Sequence, residues 1–63
     1  MSLPGEILRE INRCRMIKNE LPEEARKYKN QLDELMIEGE MAVDSADPCE
    51  MAAALINLQR VKK

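Results

Sequence analysis

Reactive side chains are scarce in this sequence, and their spacing limits the chemistry open to them. The nucleophiles are Cys14, Cys49, Ser2, Ser45 and Tyr28, and there is no histidine to activate any of them. Two cysteines without histidine fall short of the four ligands of a structural zinc site. Glu23–Glu24 and Asp33–Glu34 look like carboxylate pairs. Neighbouring helical positions point about 100° apart, so neither pair shares a face for acid–base work. We therefore expect no catalytic residue, no metal site, no cofactor and no enzymatic activity. Cys14 falls on an apolar helical stripe and Cys49 in a first helical turn. Both read as packed thiols rather than as a disulfide, as suits a reducing cytoplasm.

The elements that would hold these residues are helices. The chain has 63 residues, which is one domain at most. Apolar residues make up 44% and charged residues 35%, with no Phe, Trp, His or Thr. Leu, Met, Ala, Glu, Lys, Arg and Gln dominate, and these are helix formers. The β-branched and aromatic residues that a sheet requires are too few. The longest apolar run, Met51 to Ile56, is far shorter than the about 20 residues of a membrane span. Charged residues from Glu6 to Arg15 interrupt any signal-peptide pattern. We expect an all-α, cytoplasmic protein without a membrane segment.

Proline punctuates the chain at Pro4, Pro22 and Pro48. Ser2 is a plausible cap before Pro4. Asp47-Pro48-Cys49-Glu50 is a stronger start signal: Asp47 caps, Pro48 takes the first helical position, and Glu50 stands three residues after the cap. A helix is predicted over about 48–61, after a tight connection at 44–47. Pro22 is ambiguous. A stripe at Ile7, Ile11, Cys14, Lys18, Leu21, Ala25, Tyr28, Leu32, Leu35, Gly39 and Ala42 keeps its phase through the proline. That phase favours one long or kinked helix over about 4–43, with a break near 19–22 as the alternative.

The predicted architecture is a helical hairpin of residues 1–63, with the shorter C-terminal helix folded back on the longer one. Its stripe is Met51, Leu55, Leu58 and Lys62. A helix of about 14 residues is about 21 Å long. It covers 29–43 and leaves Ile7, Leu8, Ile11, Cys14 and Leu21 bare. Those five are the predicted interface of a homodimeric bundle.

Charge is segregated. Residues 9–29 carry a net +3, residues 30–59 a net −7 and residues 60–63 a net +3. Folding back brings Arg60 near Asp33 and Glu34. Met16, Ile17, Met36 and Ile37 lie off both stripes. Met16 and Ile17 beside Arg13, Arg15 and Lys18 have the make-up of a contact patch, with an apolar centre and a charged rim. These five are the predicted partner-binding residues. The basic face of residues 9–29, doubled across a dimer, is the alternative nucleic-acid site, although the net charge of −2 runs against it.

The segments Ile11-Asn12-Arg13-Cys14-Arg15, Leu21-Pro22-Glu23-Glu24-Ala25-Arg26 and Gly39-Glu40-Met41-Ala42, with Asp44 to Pro48, carry a resemblance over nearly the whole chain. The sequence resembles the small helical proteins encoded in the early exo–xis region of lambdoid bacteriophages. The resemblance implies a protein of the host cytoplasm that affects the host cell cycle or the choice between lysis and lysogeny. It brings no catalytic residues. The expected function is a non-enzymatic regulator that acts by contact with another protein, one of the host among the candidates.

Overall fold

A computed structural model describes residues 2–61 and is all-helical. Three helices, α1 (Leu3–Glu20), α2 (Arg26–Ser45) and α3 (Pro48–Gln59), pack each against the other two. Lys18 of α1 meets Asp33 of α2, Ser45 of α2 meets Glu50 of α3, and Arg13 of α1 meets Leu58 of α3. The order is up, down, up: α2 runs antiparallel to both neighbours, and α1 and α3 run parallel. The extents are 36 × 18 × 16 Å.

The helix starts follow the sequence signals. Ser2 Oγ accepts from the Gly5 N–H at 3.3 Å, with Pro4 in the first turn. Asp47 Oδ1 accepts from the Cys49 N–H at 2.9 Å, with Pro48 at the helix start. Glu50 behaves differently from a capping-box acid. Its Oε2 accepts from the Ser45 hydroxyl at 2.7 Å, and Ser45 Oγ in turn accepts from the Asp47 N–H at 3.3 Å. Ser45 therefore ties the end of α2 to the start of α3. Between them Ala46 adopts the left-handed conformation, φ 58°, and its N–H donates to the Ala42 and Val43 carbonyls.

The break at Pro22 corrects the long-helix expectation. Leu21 is extended, at φ −78° and ψ 143°, and a single 3₁₀ turn, Glu23–Ala25, precedes α2. Proline disfavours the helical region for the residue before it. The constant phase across residues 18–28 arises because both flanking helices face one core, and a loop leaves that phase free. The N-terminal element is thus two helices, and the two-helix hairpin becomes a bundle of three.

This turn folds α1 back onto α2 and α3. The core holds Ile7, Ile11, Cys14 and Ile17 from α1, Leu32, Met36, Gly39 and Ala42 from α2, and Met51, Ala54 and Leu58 from α3, with Val61 beyond it. Gly39 is the point of closest approach. A Cβ there would stand 3.0 Å from Ile11 Cδ1 and 3.2 Å from Leu58 Cδ1. Lys62, expected on the α3 stripe, lies outside the described residues.

Candidate functional site

The predicted dimer residues are consumed by the chain itself. Ile7 and Cys14 are fully buried and Ile11 nearly so, while Leu21 is half-buried. Only Leu8 keeps most of its surface. The length estimate that left this stripe bare held only for a straight rod. With the chain turned at Pro22, α3 lies along α1 and covers it. Ile7, Ile11 and Cys14 have no free face for a second copy, whereas Leu8 does.

The predicted partner patch is divided in the same way. Ile17 is 6% exposed and belongs to the core, which corrects its placement on the surface. Ile17, rather than Lys18, continues the Ile7–Ile11–Cys14 stripe inward. Met36, a further surface candidate, is also buried. Lys18 Nζ stands 2.6 Å from Asp33 Oδ1. Asp33 thus pairs with α1, where Arg60 of α3 had been the expected neighbour. Met16, at 63%, and Arg15 remain exposed.

Arg13 has a structural task that its sequence position did not reveal. Its Nε donates to Glu10 Oε1 at 2.7 Å, an i,i+3 pair along α1. Its two terminal nitrogens donate to the Leu58 and Val61 carbonyls, each at 3.0 Å. The last carbonyls of a helix lack intrahelical donors and carry the negative end of its dipole. The Leu58 carbonyl already accepts from the Val61 N–H at 3.2 Å, so Arg13 adds a charged donor there and supplies one to the Val61 carbonyl from across the bundle. Replacing Arg13 by leucine should therefore cost about 1–2 kcal/mol, since bonds to charged groups are strong but this side chain is partly solvated. Amide exchange should show the loss concentrated at the end of α3. Uniform exchange along the three helices would contradict this role.

Among the described residues, grooves open on the outside between pairs of helices. One, of about 470 Å³, runs between α1 and α2 and is lined by Arg15, Lys18, Asn19, Asp33, Ile37 and Glu40, with the edge of Met36. Another, of about 380 Å³, runs between α2 and α3. It is lined by buried Ala42 and Ala54 as its floor, by exposed Ala53, Met41 and Asn57, and by the polar Glu38, Ser45 and Glu50. Met41 is 65% exposed, and Ile37 on α2 and Ile56 on α3 are also more than half exposed. Apart from Ile37, which had been picked as lying off the stripes, none of these was a sequence candidate. The available signal was α3 itself, where Glu50 is the one charged residue in Pro48–Gln59. A helix with a solvent face ordinarily carries charge along it.

Chemistry is as sparse in the fold as in the sequence. Cys14 is buried and Cys49 exposed, and both are free thiols. Burial pushes the Cys14 thiol above its ordinary value, partly countered by the adjacent Arg13. Among the described residues no group of three His, Cys, Asp or Glu could hold a metal ion. None of the described helices is long and apolar enough to cross a membrane. No protein-family model, curated protein or solved structure matches the chain.

Proposed function

We propose that this protein is a small non-enzymatic regulator that acts by binding another protein. The observation that carries this reading is the apolar surface left after the core has closed. Leu8 and Met16 on α1, Ile37 and Met41 on α2, and Ile56 on α3 all stay more than half exposed. Isolated apolar residues on a surface are ordinary. Here two of them, Ile37 and Met41, line grooves between helices. The likeness to early phage proteins extends the proposal to a partner in a bacterial host and an effect on host physiology or on the lysis–lysogeny choice. A homodimer takes a secondary place in this reading, because the stripe that argued for it is covered within one chain.

The nucleic-acid alternative loses support from the same geometry. Of the basic residues in 9–29, Arg13, Lys18 and Lys29 have partners within the molecule, which leaves Arg9, Arg15, Arg26 and Lys27 exposed. The two readings separate by experiment. A photo-crosslinking residue placed in turn at Met16, Ile37, Met41 and Ile56, in a bacterial host, should give one discrete protein adduct from a subset of these sites. Adducts absent from all four, together with duplex DNA binding that falls steeply with salt, would replace the contact reading by the nucleic-acid one.

A further inference from the structure

We infer that the groove between α2 and α3 is a docking site for a basic amphipathic helix of a partner protein. The inference rests on the contact reading above and names the surface and its occupant. The groove runs from Glu38 to Ser45 along α2. At 1.5 Å per residue that is about 10 Å, or two turns of an incoming helix. The small side chains of Ala42, Ala53 and Ala54 in its lining have no bulk to hold a partner backbone away. Met41 forms a wall that adapts to the side chains it meets.

Charge selects the occupant. Residues 30–59 contain seven acids and no base. Asp33 is paired with Lys18, Asp47 caps α3, and Glu50 holds the Ser45 hydroxyl. Glu38 at the rim, with Glu34 and Asp44 also exposed on α2, has no basic neighbour in residues 30–59 to answer it. A helix with apolar residues at i, i+3 or i+4 and i+7, and Lys or Arg on their flanks, satisfies both floor and rim. Nucleic acids and anionic lipid surfaces meet the same acids with like charge.

A second copy of the chain fits less well. Its exposed bases on α1 and α2 are Arg9 and Arg15, beside Leu8 and Met16, and Arg26 and Lys27 at the start of α2, at the far end of that helix from Ser45. The groove has no α1 residue in its lining. In a bundle of three helices, the outer groove of one pair lies opposite the third helix. A ridge-to-groove contact between copies would therefore run head to tail, giving rings or filaments rather than a two-fold dimer.

The test uses the full chain and a labelled peptide of about 18 residues, built from leucine and lysine in an amphipathic helical pattern. A leucine–glutamate peptide of the same pattern is the counterpart. The lysine peptide should bind with a dissociation constant in about the micromolar range, and the glutamate peptide at least tenfold more weakly. Ala53→Lys and Glu38→Lys, both at exposed positions, should each weaken lysine-peptide binding by about tenfold and leave the helical circular dichroism unchanged. Met16→Ser should leave binding unchanged. Equal affinity for both peptides would overturn the charge selection. Growth into rings or filaments that Ala53→Lys abolishes would assign the groove to a second copy and overturn the proposal. Absent peptide binding alongside a host adduct from Met16 would overturn the groove and leave the contact reading standing.

Discussion

Ile17→Ser is expected to destabilise the fold by about 3 kcal/mol, which combines lost burial, a cavity and a buried hydroxyl. The side chain is 6% exposed and shares the core with Ile11, Cys14 and residues of α2 and α3. A chain of 63 residues has a total stability of about 3–9 kcal/mol on the usual per-residue scale. The variant should therefore keep only about 0–6 kcal/mol and lose helical signal at a lower urea concentration than the wild type. Urea titration of both proteins measures the difference directly. A loss below about 1 kcal/mol would return Ile17 to the surface, and the three-helix arrangement would fall with it. Sequence alone gives the opposite result, because the patch of Met16 and Ile17 then faces a partner.

Gly39→Leu should cost about 3 kcal/mol, at the upper end for overpacking. The α-carbon of Gly39 faces two neighbours at once, Ile11 on α1 and Leu58 on α3. A leucine there has to push α2 away from both. Gly39→Ala is the instructive control. Alanine gains about 1 kcal/mol of helix propensity over glycine. Its methyl group needs the tips of Ile11 and Leu58 to give by a few tenths of an ångström. The two effects oppose each other, so the alanine variant should stay within about 1 kcal/mol of the wild type. Thermal melts of the two variants check the contrast. A leucine variant as stable as the alanine one would mean that the helices do not converge at this residue.

The all-helical class was legible because composition leaves no material for a sheet. The start of α3 was legible because Asp47 and Pro48 each act locally, one as a hydrogen-bond acceptor and the other through its fixed φ. The turn at Leu21–Pro22 was visible only as an ambiguity. A helical stripe records which face is apolar, and two helices facing one core can share a phase across the loop between them. Taking the phase as continuity had consequences further along. It made a rod, the rod left Ile7, Ile11 and Cys14 bare, and the bare stripe asked for a second copy. The groove was hidden for another reason. Ala42, Ala53 and Ala54 look like neutral helix filler in sequence, and their meaning depends on which helices lie side by side.

The parallel pairing of α1 with α3 has a consequence for the order in which the chain assembles. The other two pairings are hairpins closed by short loops, and loop closures of that kind take well under a microsecond. Arg13 reaches Leu58 across 45 positions of sequence, so this seam closes last and carries the largest loop entropy. Contacts made only across it are absent from an early transition state. Losing them leaves the folding rate nearly unchanged and speeds unfolding instead. Arg13→Leu is therefore expected to leave the folding rate nearly unchanged and to speed unfolding, which stopped-flow kinetics in urea would measure.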